Sequence, residues 1–211
     1  FFFFYLIASP ILLLGQSSSC PLNNITISKS SLIKYDNGKS YRDLNKNNML
    51  DVYEDCEADV DLRVDNIISM MNLEEKAGML FINGPFVANY GINFLIMSHF
   101  NIWVITGLEE VISFFIQTQI WGESTRLGIP ITWASDPRNH LTDASFTLQP
   151  DYYSKWCETL GFAAIGDSEV VHNFSTIARD EYVATGIRLA LSPQIDLATE
   201  PRWPRISSTF G

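Results

Sequence analysis

The chain has 211 residues, of which 46% are hydrophobic and 13% aromatic, with a formal net charge of −10 and a pI of about 4.6. That is enough apolar material for a packed core and too much for a disordered chain. The acidic balance works against nucleic acid as a partner, and no basic block suits an anionic membrane surface.

Phe1 to Gly15 is almost wholly apolar and gives way to Gln16-Ser17-Ser18-Ser19-Cys20. Residues 1–19 therefore read as a signal-peptide-like segment, too short to be a transmembrane span. The competing reading is a buried helix or strand. With no initiator Met and no basic residue ahead of the apolar run, the start of the chain is expected to lie upstream. A signal places the protein outside the cytoplasm, as a secreted, periplasmic or cell-envelope protein. Cys20 is then a candidate for a lipid anchor, although the residues just before it are three serines with no Leu at the usual place. Three cysteines, Cys20, Cys56 and Cys157, show no metal-ligand spacing, which argues against zinc. Cys56 and Cys157 either pair or remain two free thiols. Asn24-Ile25-Thr26 and Asn173-Phe174-Ser175 are glycosylation sequons that carry meaning only in a eukaryotic host.

Residues 20–57 form a polar lead-in, irregular over 21–42, that ends in a calcium-like loop. Asp43 to Glu54 matches the template D-x-[DN]-x-[DN]-G-x5-E at all positions but one. Asp43, Asn45 and Asn47 offer side-chain oxygens at positions one, three and five, Met49 its carbonyl, Asp51 position nine and Glu54 position twelve. Asn48 replaces the glycine of the sharp turn, and Asn tolerates the left-handed conformation required there. No helix precedes the loop, so the expectation is an isolated structural calcium loop. A polar turn held by the same groups without metal is the other reading.

Residues 58–211 alternate helix and strand signals. Val60, Val64, Ile67, Ile68 and Met71 have helical spacing over 58–71. Asn72 caps a short helix over 73–80 with Glu74 and Glu75 in its first turn. Apolar runs at 79–82, 100–105, 129–133 and 187–191 predict strands. Helices are predicted over 107–125 and 170–184, the second stopped by Gly186. A long polar and aromatic loop spans 137–156. This alternation predicts a parallel α/β architecture. Asp136 and the segment Ser192 to Arg205, rich in carboxylates and arginines around Trp203, each follow a strand directly. That is the C-terminal rim, where such folds build sites. Within these segments Trp133 is expected in the core, Glu200 to pair with Arg202, and Asp196 to brace its loop. Trp203 suits packing or a sugar platform. His99 and His172 lack ligand spacing.

Six stretches carry a family resemblance: Asp43 to Asn47 through Asp55; Leu73-Glu74-Glu75-Lys76-Ala77-Gly78; Thr125 to Ile131; Ser135-Asp136-Pro137-Arg138; Leu160 to Asp167; and Gly186 to Gln194 through Arg205. Together and in this order they resemble the N-terminal barrel domain of glycoside hydrolase family 3, the β-glucosidase-type enzymes. The resemblance implies the N-terminal part of a (β/α)8 TIM-type barrel over 58–211, here a partial one. At about 31 residues per strand–helix unit there is room for about five of the eight. The isolated chain is accordingly expected to be truncated, inactive and prone to aggregate through an open strand edge.

The resemblance also implies retaining hydrolysis of O-glycosyl bonds in β-glucosides, with a β-linked glucoside or oligosaccharide as partner and no cofactor for catalysis. The nucleophile and the acid/base are expected beyond Gly211, so no catalytic residue is assigned here. Asp136 and Arg205 match positions that hold the sugar, and Arg138 and His140 stand near Asp136 to orient it. Alternatives are a β-xylosidase or another β-glycosidase, or a non-catalytic derivative that binds sugar or calcium.

Overall fold

The computed structural model describes residues 33–36, 38–84, 97–102, 107–136, 139 and 152–211. The signal-like segment, Cys20, Arg138 and His140 lie outside the described residues. Two compact units are present. One contains Asn101–Ile112 and Thr132–Gly211, and the other contains the described residues up to Phe100 together with Ser113–Ile131.

The second of these opens with a hairpin in place of the irregular lead-in expected from sequence. Strands β1 (Ile33–Asp36) and β2 (Lys39–Arg42) pair antiparallel, with Gly38 at φ +84° in the turn. Helix α1 (Val60–Met70) is capped by Asp59, whose side chain accepts from Asp61 and Leu62 N–H groups. Helix α2 (Leu73–Gly78) starts in a complete capping box between Asn72 and Glu75. Strand β3 (Ile82–Asn83) runs parallel to β4 (His99–Ile102), with Ile82 opposite His99 and Asn83 opposite Phe100. The core here is built on Tyr41, Tyr53, Met71, Phe115, Leu127 and Ile131, all buried.

Helix α3 (Leu108–Ser124) lies across the boundary between the units. Its C-terminal half holds the segment that follows. The Gln119 side chain accepts from Ile131 N–H at 3.0 Å and donates to Ile131 O at 2.6 Å. Gly122 lets this segment approach closely, because a Cβ there would stand 2.9 Å from the Ile129 carbonyl oxygen.

In the other unit β5 (Thr132–Ser135) pairs parallel with β6 (Ile187–Ala190), with an irregularity between Trp133 and Ala134. Helices α4 (Thr159–Ile165) and α5 (Ser168–Thr185) join them. Trp133, Phe162, Ile187 and Leu189 are buried, so Trp133 is a core residue as expected. The chain ends in a 3-10 turn, Ile206–Ser208. The four parallel strands form one sheet in the order β3-β4-β5-β6. The architecture is thus mixed α/β around a four-stranded parallel sheet.

Cys56 is disulfide-bonded while Cys157 keeps a free, exposed thiol. The Cys56–Cys157 pairing is therefore not made. Among the described residues no helix is long and apolar enough to cross a membrane.

Candidate active-site rim and calcium-like loop

Because β5 and β6 are parallel neighbours, their C-terminal ends deliver chain to the same edge. Ser135 ends β5, and its carbonyl accepts from Leu191 N–H at 2.8 Å. Asp136 follows immediately and is half-buried. The segment 191–205 leaves the same edge, as the sequence predicts.

The ground beside Asp136 is polar and fixed from α5. Tyr182 is buried, and its ring meets Tyr153 edge-on at 5.3 Å. Burial is the main force pushing the Tyr182 hydroxyl above its ordinary range, and the Asp136 and Glu181 charges push the same way. That hydroxyl stays protonated and remains a donor. The Tyr153 hydroxyl, also raised chiefly by burial, lies 3.2 Å from Thr185 Oγ1. Glu181 holds the returning loop by accepting from Ser154 N–H at 2.9 Å and from Ser154 Oγ at 3.0 Å. Trp156 Nε1–H then donates to Ser154 Oγ at 2.7 Å, and Trp156 N–H to the Asn139 carbonyl at 3.1 Å. Trp156 packs with Phe162 and Phe174, whose own rings are 4.7 Å apart.

Arg205 stands exposed just before the 3-10 turn, and its carbonyl accepts from Ser208 N–H at 3.0 Å. The turn is tied back to the start of α4, where Thr159 Oγ1 donates to the Ser207 carbonyl at 3.4 Å. Glu200 and Arg202 form the expected pair, with a two-pronged bond at 2.8 Å on each arm. The guanidinium holds the Glu200 carboxyl down at about 2. Trp203 is half-buried.

Sequence reading missed Glu181, Tyr182 and Tyr153 as supports of this rim. It also missed Asn101, buried on β4 with its Oδ1 unpartnered. A polar residue interrupting the apolar run Phe100 to Ile105 was the available signal.

In the other unit, the segment 43–54 closes on itself. Glu54 Oε1 accepts from Leu44 N–H at 2.6 Å and Asn45 N–H at 3.3 Å, while Oε2 takes Asp51 N–H at 3.2 Å. The Asn45 and Asn47 amides donate to Asp51 Oδ2 at 2.7 and 2.8 Å. Asp43 Oδ2 accepts from Asn48 N–H at 3.1 Å. Asn48 has φ +62°, the left-handed conformation expected at that position. Met49 N–H is held by Asn47 Oδ1 at 2.8 Å. Burial pushes the Glu54 carboxyl up, against the pull of the backbone donors. Among the described residues no three His, Cys, Asp or Glu side chains converge as a metal cluster. A cation here would need amide and carbonyl oxygens as well as carboxylates.

No family model matches the chain. The probable β-glucosidase C of Aspergillus oryzae is 40% identical over 183 residues, covering 79% of this chain and 29% of its own length. The β-glucosidase C of Emericella nidulans is 42% identical over 182 residues, 80% of this chain and 29% of its own. The periplasmic β-glucosidase/β-xylosidase of Dickeya chrysanthemi is 38% identical over 223 residues, 98% of this chain and 34% of its own. The chain spans about a third of the length of these curated relatives. With the six motifs in order and the β5–β6 rim in place, the chain belongs to the β-glucosidase-type glycoside hydrolases of family 3.

Proposed function

We propose that the whole protein hydrolyses O-glycosyl bonds of β-glucosides with retention, and that this chain supplies part of the sugar-binding rim. The observation that carries the reading is Asp136 at the C-terminal end of β5, beside the chain that leaves β6 toward Arg205. A half-buried carboxylate accepts strongly from sugar hydroxyls, and an arginine fork offers directed donors to the same ring. Arg138 and His140 are proposed to orient Asp136. Retention requires a nucleophile and an acid/base about 5–5.5 Å apart, and two carboxyl groups suffice without a cofactor. Neither role is assigned to Asp136. Both are placed in parts of the protein beyond Gly211, so residues 1–211 alone are expected to turn over nothing.

The sheet order supports the finer barrel reading. It follows chain order without reversal, as barrel strands do, whereas a doubly wound sheet reverses at its switch point. Location outside the cytoplasm is supported by the signal-like start and by the Cys56 disulfide, a bond that persists in oxidising compartments. A β-xylosidase activity is the second reading, favoured by the double name of the Dickeya relative. Comparing kcat/KM on aryl β-glucoside and aryl β-xyloside separates the two.

The test uses the full-length protein and an aryl β-glucoside. Asp136→Ala removes a charged hydrogen-bond partner worth about 1.5–3 kcal/mol, so kcat/KM should fall roughly 10- to 150-fold. A covalent glycosyl adduct found on Asp136 would make it the nucleophile and overturn the assignment.

A further inference from the structure

Three carboxylates, Asp43, Asp51 and Glu54, stand within the twelve residues 43–54, and the segment contains one basic residue, Lys46. Lys46 does not neutralise them. Its ammonium donates instead to the carbonyls of Glu123 at 3.0 Å and Thr125 at 3.2 Å. Asp43 is only 5% exposed. Its Oδ2 takes the Asn48 N–H, which fixes the carboxylate inside the turn, while its Oδ1 is buried with no hydrogen-bond partner. A buried carboxylate oxygen without a partner is costly, and a cation is the group that would satisfy it.

From this orphaned oxygen and the donors around it we infer that residues 43–54 form a calcium site, with side-chain oxygens from Asp43, Asn45, Asn47, Asp51 and Glu54 and the Met49 carbonyl as ligands. The donor set is all oxygen and mixes carboxylate, amide and carbonyl, which suits a hard cation and not zinc. The Asn45 and Asn47 amide N–H groups donate to Asp51 Oδ2 at 2.7 and 2.8 Å, which gathers the side chains at positions three, five and nine on one side of the turn, and a bound cation would require the amide oxygens to turn toward it. Calcium accepts such a flexible shell, whereas magnesium demands a near-ideal octahedron. Occupancy would stiffen the turn that Lys46 and Arg42 clamp to the C-terminal end of α3. None of this depends on the protein hydrolysing a sugar.

The experiment takes the full-length protein through EDTA, then titrates calcium while following Tm and terbium luminescence sensitised by Tyr53. At calcium about 100-fold above Kd the expected rise is roughly 5–10 °C, with a smaller response to magnesium. Asp43→Asn should weaken calcium binding at least about tenfold, and the exposed Asn47→Ala, which leaves the buried groups intact, should weaken it too. Failure of calcium at ~10 mM to move wild-type Tm or to displace terbium overturns the inference, because the weakest loops of this type bind at about 1 mM. Unchanged affinity in both variants overturns it as well.

Discussion

Replacing Gly128 with alanine probes the contact between the calcium-like loop and the segment after α3. Gly128 has φ +60°, and a Cβ built there would sit 2.7 Å from the Leu44 carbonyl oxygen and 2.8 Å from Leu44 Cβ. Two costs add. Forcing an alanine into the left-handed region costs about 1–2 kcal/mol. Driving a methyl into packed backbone costs about 1–3 kcal/mol more, since the carbonyl it meets cannot swing aside as a flexible side chain would. The sum is roughly 2–5 kcal/mol, or a Tm lower by about 4–20 °C for a domain of this size. Gly38→Ala is the internal control, because Gly38 also has positive φ, +84°, but its added Cβ meets nothing within 4 Å. It should lose only the conformational part. Thermal melts of both variants by circular dichroism decide the matter. If Gly128→Ala is no more destabilised than Gly38→Ala, then Leu44 does not pack on Gly128 and the docking of the loop described above is wrong.

Gly122→Ala reverses the usual helix rule. In an open helix the change gains about 1 kcal/mol, but the 2.9 Å approach to the Ile129 carbonyl makes a net loss of up to about 2 kcal/mol the expected result in a urea melt. The pair of Glu75 and Arg126 gives a pH signature. Hydrogen bonding to Arg126 holds the Glu75 carboxyl below its ordinary value of 4.5, so its contribution is fully present above that value and disappears as pH falls through the lowered one. Arg126 is 54% exposed, so screening limits the contribution to about 0.5–1 kcal/mol. Glu75→Gln, which keeps the capping group, should lower Tm at pH 7 and not at pH 2, and a gap that persists at pH 2 would assign the loss to something other than charge. Glu181→Gln retains one acceptor oxygen for Ser154 and should cost about 1–2 kcal/mol, read by denaturant midpoint, and in the full-length protein the proposed function predicts a raised KM for a β-glucoside.

The parts of the fold set by local chemistry were legible. Asn72 and Glu75 announce α2, Gly186 at φ +98° stops α5, and Asn48 takes the left-handed turn its position demands. Strand β5 shows where locality fails. The apolar run suggests 129–133, yet the ladder covers Thr132–Ser135. Pro130 has no N–H to give, and Gln119 on α3 takes both backbone groups of Ile131, so pairing begins one residue later. The displacement leaves Asp136 where it was expected, because the strand end and not its start positions the rim. Helix α4 and the β1–β2 hairpin went unread for the same kind of reason. The first is stabilised by the Phe162–Phe174–Trp156 cluster, which joins α4 to α5 and to the loop before it and is not visible in the periodicity of α4 alone.

Carboxylate density by itself does not say which charged groups are left for a ligand. The segment 192–205 is the more conspicuous in sequence, yet its Glu200 is satisfied by an arginine two residues away and faces solvent. What remains for a ligand there is Arg205, which stands exposed and makes no ion pair among the described residues. In 43–54 the acids find backbone N–H donors throughout the turn, and the satisfaction stops one atom short, at Asp43 Oδ1. Sequence supplies the charges in both cases, but the fold decides which of them have already been answered. A charged group left over after the fold has placed its donors is therefore a better pointer to a ligand than the cluster from which it came.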